Sequence, residues 1–242
     1  MKQPLSYINP NAKIAKSVVI DPFTSIDGDV VIGEGTCIGS NVSIMDGARI
    51  GKNCNIFPGA VISANPQDLK YDNEKTYVEI GDNVTIRECV TINKGTNDRL
   101  KTVIGNNCLI MAYSHIAHDC FVGDNCIFSN NTTLAGHVTV GDYVIISGLT
   151  AIHQFCSIGN HAFVTGGSLV RKDVPPLLKQ PENHFHTLEL TLLDSEEEVL
   201  TQRKSEKFKI YTDYFIKKIT ITHRPVKLLK LKWRLLMKEM RY

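Results

Sequence analysis

Three short segments of this chain gather imidazoles. HIAHDC supplies His115, His118 and Asp119, LAGHV supplies His137, and AIHQF supplies His153 and Gln154. An imidazole has a reference pKa of about 6.5, so near neutral pH its free nitrogen can take a proton from a hydroxyl that attacks a carbonyl. Three histidines can equally hold a zinc ion. The metal reading requires the rings to meet in space, and the acyl-transfer reading needs one of them beside the reacting groups, although they are spread from position 115 to position 153.

A six-residue period supplies the means. From Ile8 the register runs Ile14, Ile20, Ile26, Ile32, Ile38, Ile44, Ile50, Ile56 and Ile62, resumes at Ile80, Ile86 and Ile92, and continues from Ile104 to Val170. Of the 28 positions in this register only Asp68, Glu74 and Asp98 are polar. Two residues earlier in each hexad the side chain is small or β-branched, as in Val18, Ala48, Cys54, Cys108, Cys120, Cys126, Thr132 and Cys156. A period of six sustained this long is a solenoid signature. One large and one small side chain per hexad suit a close-packed triangular prism. Three hexads make a coil, so residues eighteen apart stack at about 4.8 Å.

That arithmetic assembles the histidines. His118 plus 18 is Gly136, with His137 beside it, and Ala135 plus 18 is His153. The patch thus spans two to three coils. Two polar, turn-rich stretches, 63–77 and 94–100, break the register and read as loops thrown out from the prism. Five of the seven cysteines fall in the small-residue column and read as buried apolar groups; no C-x-x-C pair suggests a zinc or redox motif.

The formal net charge of +2 conceals an asymmetry. Residues 177–242 carry 14 Lys and Arg against 9 Asp and Glu; taking these from the totals of 27 and 25 leaves 13 against 16 in residues 1–176. The repeat-bearing body is therefore slightly acidic, and no nucleic-acid partner is expected. The N-terminal residues lack the pattern of a secretory signal, and no apolar run approaches the roughly 18–20 residues of a membrane span. A cytoplasmic protein without stable membrane insertion is the expectation.

The segments HIAHDC, NNTTLAGHV, TAIHQFCSIG and NPQDLKY resemble the motifs of the UDP-N-acetylglucosamine O-acyltransferase family, in register over residues 1–176. The resemblance implies an all-β fold, a left-handed parallel β-helix. It also implies transfer of a 3-hydroxyacyl group from acyl-carrier protein to the 3-hydroxyl of UDP-N-acetylglucosamine, the first step of lipid A biosynthesis, with no cofactor. His118 matches the general base, Gly136 the oxyanion donor through its N–H, and Asp119 a neighbour that orients His118. Asp68 and Lys70 match contacts to the sugar nucleotide; His115, His137, His153 and Gln154 match pocket positions; Gly166 matches a position that limits acyl chain length. The family is a homotrimer with sites between prisms. Lys94 stands where the family usually carries arginine, which keeps the charge and loses the bidentate grip. Other readings are the N-acyltransferase of the same pathway, a histidine-metal β-helix enzyme, and a non-catalytic scaffold.

Beyond residue 176 the resemblance stops. The family continues into a helical domain containing a stretch like GLRRRGF, whereas this chain reads LLKQPENHFHTLELTLLDSEEEVL. Written TTG GAC TCA GAA GAA GAG GTT TTA, the codons of Leu193 to Leu200 give Gly-Leu-Arg-Arg-Arg-Gly-Phe in a shifted frame. The expectation is a 1–176 β-helix followed by a frame-altered 177–242 tail, never selected to pack on the prism and impairing activity. Sequencing the gene across codon 177 should reveal an insertion or deletion there; an unbroken frame refutes the shift.

Overall fold

The computed structural model of the chain describes residues 5–180 and 191–192. The chain divides into two compact units, 1–193 and 194–242, and all described residues belong to the first. The expectations for the 177–242 tail fall largely outside the described residues.

Short strands, mostly two residues long, end at the large residue of each hexad, as in Val19–Ile20, Ser25–Ile26 and Val31–Ile32. Every third strand pairs in parallel, which yields three sheets of nine, eight and ten strands. The architecture is a left-handed parallel β-helix. The first face runs from Tyr7–Ile8 to Leu169–Val170, the second from Lys13–Ile14 to Ser157–Ile158, and the third from Val19–Ile20 to Phe163–Val164. Leu178–Gln180 extends the third face in parallel, and Thr191–Leu192 pairs antiparallel to it.

Pairing obeys the eighteen-residue step. Ile116 lies on Leu134, Leu134 on Ile152, and Ile152 on Val170. The large and small columns together form one continuous core, in which Ile26, Ile62, Ile92, Ile116, Phe128 and Leu134 are wholly buried. Most turns of the prism hold a residue in the left-handed region. Asn41, Asn53, Asn83, Asn107, Asn125 and Asn131 occupy it, as do Asp119 (φ 60°) and His137 (φ 63°). Asparagine, aspartate and histidine are the non-glycine residues that tolerate this backbone best.

One corner is tied by a ladder of main-chain N–H groups donating to side-chain oxygens one coil away. The backbone N–H of Asn106 donates to Asp124 Oδ1 at 2.6 Å, that of Asp124 to Asp142 Oδ1 at 2.9 Å, and that of Asp142 to Asn160 Oδ1 at 3.1 Å. Gly123 sits in this stack, where a Cβ would lie 2.8 Å from the carbonyl carbon of Gly141.

The column cysteines Cys54, Cys108, Cys120, Cys126 and Cys156 are buried free thiols. Cys120 is pushed up to about 12 by burial, and Cys126 is raised by its hydrogen bond with Cys108 and by burial. All five lie in the hydrophobic core and serve as packing groups.

One expectation needs refinement. Residues 94–100 leave the prism as a loop, with Asn97, Asp98 and Leu100 exposed, but Gly95 and Thr96 are buried and the segment folds back onto Asp119. A fully buried carboxylate cannot be left without donors, and this segment supplies them. Gly95 is required where the limbs of the loop cross, because a Cβ there would meet the backbone of Lys101.

Phe128 is the largest of the wholly buried side chains. Phe128→Ala should therefore cost about 3–5 kcal/mol. Val31→Ala, at a 37% exposed position, should cost less than about 1 kcal/mol. Urea unfolding followed by circular dichroism compares the two.

Candidate active site

Both excursion loops and the histidine patch leave the prism at one edge, where the first face turns into the second. Residues 65–76 connect Val61–Ala64 to Tyr77–Ile80, residues 94–100 connect Thr91–Asn93 to Lys101–Ile104, and 117–120 connect His115–Ile116 to Phe121–Val122. Asn93 holds the base of the first loop, donating from Nδ2 to the carbonyl of Asn65 at 3.0 Å. Its Oδ1 is buried without a partner among the described residues.

At this edge two stacked columns form. Gly136 lies over His118: a Cβ on Gly136 would come within 2.6 Å of His118 Cε1 and Nε2. Only glycine lets the imidazole stand upright beneath the next coil. The Gly136 N–H finds no acceptor among the described residues, whereas the neighbouring amide of His137 donates to the His118 carbonyl at 3.0 Å. In the second column Asp119, His137 and Phe155 all adopt positive φ. The rings of His137 and Phe155 stack at 4.6 Å, and those of His118 and His137 meet edge to face at 5.0 Å.

His118 Nδ1 is 2.8 Å from Asp119 Oδ2. Both residues are buried, Asp119 completely. Burial alone would raise the Asp119 carboxyl, yet hydrogen bonds from His118, from the hydroxyl and amide of Thr96 and from the amide of Arg99 outweigh it and hold the group at about 2. An ionised carboxylate can only accept, so Nδ1 carries the proton and Nε2 keeps a free lone pair for a substrate hydroxyl.

His115 is half-buried on the first face, its Nδ1 at 2.7 Å from Thr91 Oγ1. Burial, and then the charge of His118, lower its pKa. His137 Nδ1 lies 3.1 Å from Asp98 Oδ2, but the pair is not aligned as a hydrogen bond, so the buried nitrogen keeps no directional partner among the described residues.

Of the residues singled out from sequence, His118, Asp119, Gly136 and His137 form a contact cluster, with His115 near enough to feel the charge of His118. His153 is exposed and Gln154 half-buried; His153 Nδ1 faces the Gln154 carbonyl at 3.1 Å. Gly166 lies on the opposite edge of the first face, above Gly148, whose carbonyl oxygen would sit 3.3 Å from a Cβ. Asp68 and Lys70 sit on the first loop, where the Lys70 amide donates to Asp68 Oδ1 at 3.0 Å. Among the described residues neither makes a hydrogen bond or ion pair to the histidines. An open cleft of about 390 Å³ lies under that loop, lined by Asp29, Asp46, Tyr71, Lys75 and Lys94 among others, and it does not include His118.

The chain matches the family described as Bacterial transferase hexapeptide (six repeats) over residues 11–44, 29–64 and 101–136. The O-acyltransferase of Cupriavidus taiwanensis, named for acyl-[acyl-carrier-protein] and UDP-N-acetylglucosamine, is 62% identical over 120 residues, 49% of this chain and 45% of that protein. Thus the aligned stretch spans less than half of this curated relative. The crystal structure of the Francisella novicida UDP-N-acetylglucosamine acyltransferase is 42% identical, with 88% of this chain and 78% of that one covered at a TM-score of 0.77. The Bacteroides fragilis enzyme of the same name is 40% identical, with 93% and 86% covered at a TM-score of 0.78.

The chain belongs to the UDP-N-acetylglucosamine acyltransferase family. Within this family member, sequence reasoning missed Thr96, Asp98, Arg99 and Phe155 as parts of the site. The stacking rule could have found Phe155, which is His137 plus 18. The other three sit in a loop whose fold no period dictates.

Two outcomes test this geometry. In Gly136→Ala the methyl must displace the imidazole, lowering stability by about 1–3 kcal/mol and shifting the His118 ring resonances in NMR spectra. The second concerns acid. Because the Asp119 pKa is depressed from 3.8 to about 2, its contribution to stability is complete above about pH 4 and is lost as pH falls through about 2. The stability gap between wild type and Asp119→Asn, measured by urea unfolding, should therefore narrow between pH 5 and pH 2.

Proposed function

We propose that this protein transfers a 3-hydroxyacyl group from acyl-carrier protein to the 3-hydroxyl of UDP-N-acetylglucosamine, the opening step of lipid A biosynthesis. The names of its relatives supply the donor and acceptor. The observation that carries the reading is the placement of Gly136 over His118 Nε2, with the Asp119 carboxylate on Nδ1.

His118 Nε2 removes the proton from the sugar hydroxyl as that oxygen adds to the thioester carbonyl. The negative charge on the carbonyl oxygen is met by the N–H of Gly136, which has no other acceptor among the described residues. Collapse of the adduct breaks the carbon–sulfur bond, and the imidazolium returns its proton to the leaving thiolate. Asp119 stabilises the imidazolium between these steps. A base of this kind contributes about 10²–10⁴ in rate, and one oxyanion donor about 10²–10³.

His115, His137, His153 and Gln154 flank the acceptor. The acyl chain crosses the outer first face toward Gly148 and Gly166, where missing side chains leave room. A homotrimer brings Asp68 and Lys70 of one chain to a neighbour's His118; the fully exposed Leu69 between them is an apolar group that a neighbouring prism would cover. No helix among the described residues is long and apolar enough to cross a membrane, which accords with a reaction in the cytoplasm.

A metal enzyme is the second reading, because donor atoms of His118, Asp119 and His137 lie within 4.8 Å of one another. The competing demand is visible: Asp119 Oδ2 already receives His118 Nδ1 and the Thr96 hydroxyl at 2.8 and 2.7 Å. Acyl transfer from 3-hydroxyacyl-carrier proteins should occur with wild type, survive chelator treatment, and fall by about 10²–10⁴ in His118→Ala. Unchanged transfer in that variant would refute the assignment of the base; loss on chelation, with one zinc per subunit, would favour the metal.

A further inference from the structure

We infer that Thr96, on the loop that folds back over the edge of the prism, is a positioning residue that locks the Asp119 carboxylate and through it the tautomer of His118. The claim rests on the acyl transfer proposed above only for its kinetic consequence.

Asp119 has no freedom once the loop is in place. The Thr96 hydroxyl donates to Oδ2 at 2.7 Å, the Thr96 amide reaches Oδ1 and Oδ2 at 3.0 and 3.1 Å, and the Arg99 amide reaches Oδ1 at 3.2 Å. On the main-chain side, the Asp119 amide donates to Thr102 Oγ1 at 2.9 Å, and the Arg99 guanidinium donates to the Asp119 carbonyl at 3.0 Å and to Thr139 Oγ1 at 3.3 Å. The loop is itself fastened, the Lys94 amide donating to the Ala64 carbonyl at 3.0 Å and the Leu100 amide to the Thr96 carbonyl at 2.8 Å.

Oδ2 is the oxygen that His118 uses, and Thr96 is the only side chain besides His118 that donates to it among the described residues. Without the hydroxyl, Oδ2 would keep only the shared Thr96 amide at 3.1 Å and His118 itself, which leaves the carboxylate room to rock about the Cβ–Cγ bond. The hydroxyl closes that motion. A fixed, ionised Oδ2 accepts only, which places the His118 proton on Nδ1 and leaves Nε2 bare beneath Gly136. Thr96 Oγ1 also accepts the Asp98 amide at 3.3 Å, and Asp98 is the acidic neighbour of His137. One hydroxyl thereby organises the loop against both rings.

The test compares full-length wild type with Thr96→Val, which removes the hydroxyl at nearly constant shape, and Thr96→Ser, which restores it. Thr96→Ala substitutes should the valine variant fail to fold. Long-range proton–nitrogen NMR reads the His118 tautomer directly. Wild type and Thr96→Ser should show the Nδ1–H form, and Thr96→Val a mixture with Nε2–H. In acyl transfer to UDP-N-acetylglucosamine, kcat should drop about tenfold in Thr96→Val with KM for the sugar nucleotide unchanged. Thr96→Ser should recover it, and Thr96→Val should add nothing in an Asp119→Asn background. An unaltered tautomer in Thr96→Val, or a change in KM alone, overturns the inference. A wild-type protein that transfers no acyl group would count against the proposed function, while the tautomer measurement still decides the role of Thr96.

Discussion

Each coil of this prism rests on the one beneath it at the hydrogen-bonding distance of parallel strands, about 4.8 Å. Residues one coil apart are consequently obliged to sit one above the other. The interior accepts one branched and one small side chain per hexad because the stack leaves no other volume. The same obligation builds the site as vertical columns, with Gly136 above His118 and with Asp119, His137 and Phe155 in line. Chemistry that a globular enzyme gathers from distant loops is here delivered by winding. The base and the amide above it are held by the pitch of the solenoid itself.

Departures from that winding carry the remaining work. Val61 pairs with Thr91 rather than with a residue eighteen away, and Thr91 pairs with His115. The surplus residues leave the stack at the same edge as the histidines. The first excursion presents Asp68 and Lys70 at the surface, whereas the second closes over Asp119 and supplies donors to a carboxylate that no water reaches. A buried charge of this kind persists only when its partners are fixed. The loop and the carboxylate therefore specify each other.

The sequence discloses the columns more readily than the loops. The six-residue register from Ile8 to Val170 and the small-residue column predict the three faces and the core. Adding eighteen to His118 finds Gly136, and the same step from His137 would have found Phe155. Nothing periodic marks Thr96, Asp98 and Arg99, because their place depends on where a seven-residue excursion comes to rest. Polarity alone made that stretch look solvated, yet Thr96 and Arg99 turn inward to a single aspartate while Asn97 and Asp98 stay exposed. The positions of Asp68 and Gly166 followed from resemblance, since neither stacks in the histidine columns.

The corners hold a further consequence. A left-handed backbone conformation recurs at most of the bends, and it admits asparagine, aspartate and histidine more readily than β-branched residues. The bends therefore enrich the rim in acceptors, amides and imidazoles before any substrate exerts selection. Elsewhere in the prism such groups merely lace neighbouring coils, as Asn83 and Asn107 do. At one edge the same backbone preference places a carboxylate at 119 and an imidazole at 137. The alphabet that the bends permit overlaps the alphabet of proton transfer, so a solenoid of this kind begins with reactive groups already arrayed along its outer ridges.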